Sequence, residues 1–196
     1  MPVYQPSDEY LINCIKDGEI EKTSILFDRY HKSIYSYFFR LTRNRVESED
    51  LTQNVFVRLI RFRKSYKQGH PFLPWVFGIA HHIFIDYCNY KTKEINTLND
   101  FHKTTPDESV NEVGEDKLEL FYKAFEKLPV EYRELLVLNR YHELTYGQIG
   151  ESLGLNQHAV KQKAFRALEK LRMEFKKLNE VDEQYKERHE KEQERK

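Results

Sequence analysis

The chain has 196 residues, enough for one ordinary domain or two small ones. It is 39% apolar and 33% charged, with only 7 Gly and 6 Pro, a balance that favours helices with few tight turns. Net charge is zero, so bulk electrostatics announce no nucleic-acid partner, and two cysteines make neither a disulfide framework nor a metal cluster.

The charge is nevertheless unevenly placed. Residues 156–177 hold seven Lys/Arg against two Glu, and residues 94–116 hold seven acids against one Lys. A neutral total therefore hides a basic face and an acidic segment, and the local field is what a phosphate feels. Free Cys14 and Cys88 suit a reduced, cytoplasmic setting. The first residues, MPVYQPSDEY, do not read as a signal peptide, since no apolar core follows a basic start. The longest apolar run, Phe72 to Ala80, contains Pro74 and stops at His81, short of the ~20 residues that span a bilayer, so no membrane insertion is expected.

Apolar residues recur with a helical period, and no stretch alternates as a strand does. The pattern predicts helices over residues 8–16, 20–43, 48–64, 74–92, 117–128, 131–141, 145–152 and 157–178. Ser48 and Asn156 stand as N-caps, Thr145 with Gln148 makes a capping box, and Pro129 breaks two helices apart. Residues 94–116 have weak periodicity and many turn formers, so they read as a flexible linker. The expectation is an all-α chain of two small helical domains, residues 1–93 and 117–178, each with a modest core. A polar tail, residues 179–196, prolongs the last helix as a fraying rod.

The helix from Ser48 is apolar on two sides. Leu51, Val55, Leu59 and Phe62 make one face; Phe56, Val57 and Ile60, with Gln53, make another. Such a helix is fully buried or docks a partner, and so small a domain favours a partner. Next come the loop KSYKQGHPFLP and the helix continuing WVFGIAHHIFIDYCNYKTK. Val76, Ala80, Ile83, Phe84 and Tyr87 point inward; His81, His82, Ile85, Asp86 and Asn89 point outward, with Trp75 near the edge. Rings beside amides and cations suit unstacked bases, although Phe72, Trp75 and Phe77 also suit ordinary core packing. His81, His82 and Asp86 lie too close on one helix to converge on a metal, and nothing supplies the remaining ligands. No Gly-rich phosphate loop, G-x-S-x-G or H-E-x-x-H is present, so neither catalysis nor a cofactor is expected.

The segment LTYGQIGESLGLNQHAVKQKAFRALEKLR reads as a helix-turn-helix. On its second helix Val160, Ala164, Ala167, Leu168, Leu171, Phe175 and Leu178 form a core stripe. His158, Gln162 and Arg166 lie opposite, flanked by Lys161 and Phe165 on one side and Lys163 on the other. In such a unit the second helix enters the major groove: Gln162 suits an adenine, Arg166 a guanine, and Lys161 and Lys163 suit phosphates. The bland alternative is an amphipathic helix with a wet outer face.

Together the segments resemble the extracytoplasmic-function (ECF) group of bacterial RNA polymerase sigma factors. EDLTQNVFVRL is similar to the group's D-L-x-Q-x-x-F signature at Asp50, Leu51, Gln53 and Phe56. FLPWVFGIAHHIFIDYCNYK resembles its −10-reading segment, and LPVEYRELLVLNRYHELTYGQIGESLGLNQHAVKQKAFRALEKLR its −35-reading domain. The resemblance implies that Asp50, Leu51, Gln53, Asn54, Phe56, Val57 and Ile60 dock the polymerase clamp. It implies that the loop with Gln68, His70 and Phe72 takes a flipped base, and that Trp75, His81, His82, Asp86, Asn89 and Lys91 follow the opening promoter. His158, Lys161, Gln162, Lys163, Phe165 and Arg166 would meet the −35 element. The implied partners are core RNA polymerase, promoter DNA as duplex and single strand, and an anti-sigma factor, with the free chain a monomer. The sequence departs from the family at His81-His82, often Arg-Asn, and at HAVKQK, usually GTVKSR, so its promoter need not be the common one. A free-standing helix-turn-helix repressor or activator is the competing reading, and a hydrolase using His81, His82 and Asp86 a third.

Overall fold

The computed structural model describes residues 5–97 and 115–193, and among these residues it is helical with no strand. All the expected helices are present. α1 spans Asp8–Asp17, capped by Ser7, whose Oγ accepts from the Tyr10 N–H at 3.2 Å. A 3₁₀ turn, Ile20–Lys22, leads into α2, Thr23–Thr42. α3 runs Arg45–Phe62, and a second 3₁₀ turn, Arg63–Ser65, follows it. α4 is Phe72–Thr97, α5 Glu115–Glu126, α6 Val130–Arg140, α7 Tyr146–Leu153 and α8 Gln157–Gln193. Residues 98–114, most of the expected linker, lie outside the described residues.

Two boundaries differ from the sequence reading for local reasons. The cap of α3 is Asn44, not Ser48: Asn44 Oδ1 accepts from the Glu47 N–H at 3.1 Å. Ser48 lies one turn inside, fully buried, its hydroxyl donating to the Asn44 carbonyl at 2.5 Å. α4 starts two residues earlier than expected because Pro74 fits the first turn, where a backbone donor is not needed.

The helix-turn-helix forms as its sequence demands. Thr145 and Gln148 close a full capping box, and Gly154 at φ +67° turns the chain. Gly150 is needed for space: a Cβ there would meet the Leu155 carbonyl oxygen at 2.5 Å. Asn156 Oδ1 then caps α8 by accepting from the Ala159 N–H at 2.8 Å.

Within the N-terminal half α2 packs on α3 and α3 on α4; within the C-terminal half α5, α6 and α7 pack on α8. The halves are not held apart. α4 lies against α7 and α2 against α6, and one continuous cluster of buried side chains runs through both. Closing two small modules on each other gives each a wall that its own few helices cannot supply.

Candidate nucleic-acid interface

On α3 the outer face is sorted by burial. Asp50, Gln53, Asn54 and Val57 are exposed, Val57 at 64%, while Leu51 and Ile60 are half-buried. Phe56 is only 6% exposed, and its ring meets Phe27 edge-on at 4.8 Å. The expected surface role of Phe56 is therefore corrected: the helix turns its ring under Phe27, and Phe27, 38% exposed, lies on the outside. Conversely Phe62, expected in the core, is 45% exposed at the end of α3.

The loop before α4 is pinned from below. The Tyr66 hydroxyl donates to the His70 carbonyl, and Lys16 Nζ donates to the Tyr66 carbonyl at 2.9 Å. Gln68 and His70 stay exposed at its tip. Phe72 is 1% exposed, so it anchors the loop rather than facing a ligand; its ring stands 6.1 Å from that of Trp75. Trp75 is half-buried and, with Arg58, Phe62, Ser65 and His82, lines a groove of 410 Å³.

Farther along α4 the outward residues diverge. His82 is exposed and its Nδ1 bonds the Gly78 carbonyl at 2.7 Å. Asp86 pairs with Arg58 at 2.7 Å, and Asn89 is free on the surface. Lys91 sits between Glu47 at 2.8 Å and Glu94 at 3.4 Å, and its ammonium pKa is raised, chiefly by the hydrogen bond to Glu47. His81 turns the other way, its Nδ1 2.8 Å from a carboxylate oxygen of Glu134 on α6. His81 was expected to face outward. A wheel of α4 alone could not show that the second half of the chain covers that side. His81, His82 and Asp86 thus do not converge, and among the described residues no cluster of three metal-ligating side chains forms.

On α8, Val160, Ala164 and Ala167 are buried, and His158, Lys161, Gln162, Phe165 and Arg166 are exposed. Phe165 is 64% exposed, an aromatic ring with no internal role. His158 Nε2 and Gln162 Nε2 lie 2.9 Å apart, so the two act as one polar unit. Lys163 is less free than expected: it pairs with Glu131 across the α6–α8 angle. Leu168, expected in the core, is 38% exposed and lines a 310 Å³ cavity with Phe121, Phe125 and Leu136. Phe27 is the surface residue that sequence reasoning missed; its position four residues before His31, whose ring stacks on it at 4.9 Å, was the available signal.

Two family models match the chain in order: Sigma-70 region 2 over residues 26–94, and Sigma-70, region 4 over residues 118–171. Among curated proteins it is 29% identical to the RNA polymerase sigma factor YlaC of Bacillus subtilis over 157 residues, 78% of this chain and 88% of YlaC. It is 27% identical to the ECF sigma factor SigW of the same organism over 179 residues, 85% of this chain and 96% of SigW. The chain belongs to the ECF sigma factors. Members of this family direct RNA polymerase to promoters at transcription initiation, and so does this sigma factor. Its fold is shared with the sigma factor RpoE solved with the anti-sigma factor NepR from Bartonella quintana. That match has a TM-score of 0.66 at 18% identity and covers 78% of this chain and 96% of RpoE. CnrH, solved with the cytosolic domain of CnrY, shares it at a TM-score of 0.62 and 20% identity, over 85% of this chain and 95% of CnrH. The region 2 match covers α3 and all but the last three residues of α4, and the region 4 match runs through the helix-turn-helix. No described helix of this sigma factor is long and apolar enough to cross a membrane.

Proposed function

We propose that this sigma factor docks core polymerase through the outer face of α3 and reads two promoter elements, one with α4 and its preceding loop and one with α8. It does no catalysis of its own. The observation that carries the reading is that region 2 and region 4 both match, in order, and that each presents an exposed polar face where the reading needs one.

Asp50, Leu51, Gln53, Asn54, Val57 and Ile60 are the docking residues, with Phe56 as their support from beneath. Gln68, His70 and Trp75 are the candidates for a base drawn out of the duplex, with Phe72 holding the loop. His82, Asp86, Asn89 and Lys91 follow the strand, and His81 joins them once Glu134 withdraws. On α8, His158, Gln162 and Arg166 read base edges, Lys161 and Phe165 flank them, and Lys163 reaches phosphate by leaving Glu131. The partners are core polymerase, promoter DNA as duplex and opened strand, and an anti-sigma factor; the free chain is a cytoplasmic monomer.

Transcription from promoters selected out of a random library by this chain plus core polymerase tests the reading. Enrichment of two spaced elements supports it. Tight binding of one duplex site by the chain alone, with no capture of polymerase, would instead show a free-standing repressor or activator.

A further inference from the structure

The cavity beside Leu168 belongs neither to the promoter-reading faces nor to the docking face. It measures 310 Å³ and is walled by α2, α5, α6 and α8. Val137 is 0% exposed, Leu136 5% and Phe125 8%, so these three make its floor. Phe121 and Leu171 are half-buried and make its sides, and the Phe121 ring stacks on that of Phe125 at 6.3 Å. Leu168 and Tyr141, 38% and 46% exposed, stand at its rim. No residue proposed above to meet polymerase or DNA lines it.

Two cations stand among these apolar side chains, Arg40 from α2 and Arg140 from α6. The Arg40 guanidinium lies over the Tyr141 ring at 3.4 Å, and its Nε donates to Ser36 Oγ at 3.3 Å. A ring contact uses the face of a guanidinium and leaves its terminal N–H groups for an acceptor. Among the described residues no carboxylate pairs with Arg40 or Arg140, whereas Arg29 holds Asp8 and Arg58 holds Asp86. The chain has as many acids as bases, 32 of each, so a shortage of carboxylates does not explain the unpaired arginines.

An apolar floor below unpaired guanidinium groups matches a molecule that is apolar at one end and anionic at the other. Size narrows the choice. One turn of an α-helix with its side chains fills roughly 500 Å³, so a partner helix does not fit. A methylene fills about as much liquid volume as a water, about 30 Å³, so 310 Å³ holds roughly ten of them. We propose that this cavity binds a small amphipathic anion, an unbranched carboxylate of about ten carbons. Its chain lies on Phe125, Leu136 and Val137, and its head meets Arg40 and Arg140. A carboxylate suits these cations because a guanidinium fork can give it two parallel hydrogen bonds.

The test is isothermal titration calorimetry of the full chain with decanoate, below the concentration at which decanoate forms micelles. One saturable site per chain is expected. Along the series hexanoate, octanoate, decanoate, affinity is expected to rise by up to about fourfold per methylene. Decanol keeps the chain and lacks the charge, and is expected to bind at least about tenfold more weakly. Arg140→Gln, at an exposed position that spares the core, is expected to weaken decanoate about tenfold and leave decanol unchanged. Leu168→Trp fills the cavity from its rim and is expected to abolish binding of both molecules. Circular dichroism shows that each variant keeps its helices. Heats that do not saturate and that neither variant alters would mean detergent-like adsorption and overturn the site. Decanol binding as tightly as decanoate, or Arg140→Gln leaving decanoate unchanged, overturns the anionic ligand. A folded Leu168→Trp with wild-type affinity places the ligand elsewhere and overturns the cavity.

Discussion

Replacing Phe56 by alanine separates fold from docking on α3. The ring is 6% exposed and lies edge-on to Phe27 at 4.8 Å. Truncating a buried Phe costs about 3–5 kcal/mol, part lost transfer energy and part residual cavity. Phe27 is 38% exposed and forms the outer wall of that site, so it can move inward and shrink the void. The cost then falls at the low end, about 3 kcal/mol. For one cooperative unit of this length each kcal/mol shifts the midpoint by about 2–4 °C, so the expected fall is about 6–12 °C. The neighbour Val57 is 64% exposed, and Val57→Ser removes apolar area that packs against little. It leaves stability within about 0.5 kcal/mol of the wild type and weakens capture of core polymerase. Thermal unfolding followed by circular dichroism, with a polymerase pull-down well below each midpoint, reads both quantities. An unchanged midpoint for Phe56→Ala with capture lost would refute the reasoning, since the ring would then be working at the surface.

Burial first and the nearby Arg40 second lower the His142 imidazole from its ordinary 6.5 to about 4, and Tyr37 and Ser33 also face it. The unfolded chain therefore binds more protons between these values: the stabilisation is complete above pH 6.5 and is lost as pH falls toward 4, at most about 3 kcal/mol. Urea midpoints measured across that window should slope less for His142→Gln, and identical slopes would discount the burial. Gly150→Ala pushes a methyl against the Leu155 carbonyl and should cost about 1–3 kcal/mol, lowering the unfolding midpoint. A neutral result would mean that the turn relaxes freely. On α8, Gln162→Ala and Arg166→Ala should each shift base preference at one position by about 1–3 kcal/mol in a promoter-selection assay. Lys161→Ala should weaken all sequences alike and flatten the salt dependence; the same profile for all three would end that division of roles.

The helices were legible because their apolar period is strong and their punctuation is local. Thr145 and Gln148 reach only three residues, so their capping box is written in the sequence. Errors arose where two signals compete nearby. Asn44 and Ser48 are both good caps, and the buried hydroxyl network of Ser48 with Thr42, 2.9 Å apart, decided for Asn44. The two apolar faces of α3 were visible, but which one Phe56 joins depends on Phe27, a residue on another helix. The contact between the two halves was invisible for the same reason. His81 reads as an outward polar residue until Glu134, 53 residues later, is brought against it.

The chemistry of the contact between the two halves bears on whether it can open. Across it, beside the buried Phe77, the groups at Glu134, Tyr37, His81, Ser33, His142 and Ser152 are hydrogen-bonding ones. When the halves part, each bond can be exchanged for a bond to water, and the Glu134 carboxylate recovers its hydration. The net loss is therefore much smaller than the number of contacts suggests. The α2–α3 contact is of another kind: Ile34, Phe38, Val55 and Leu59 are 0% exposed, and opening it would put that apolar surface in water. The two contacts differ in reversibility although both belong to one continuous core. The proposed reading of two promoter elements, by α4 and by α8, needs the halves to separate while each stays folded. The hydrogen bonds between the halves lower the cost of that order of events, and Phe77 and its apolar neighbours in the shared core add to it.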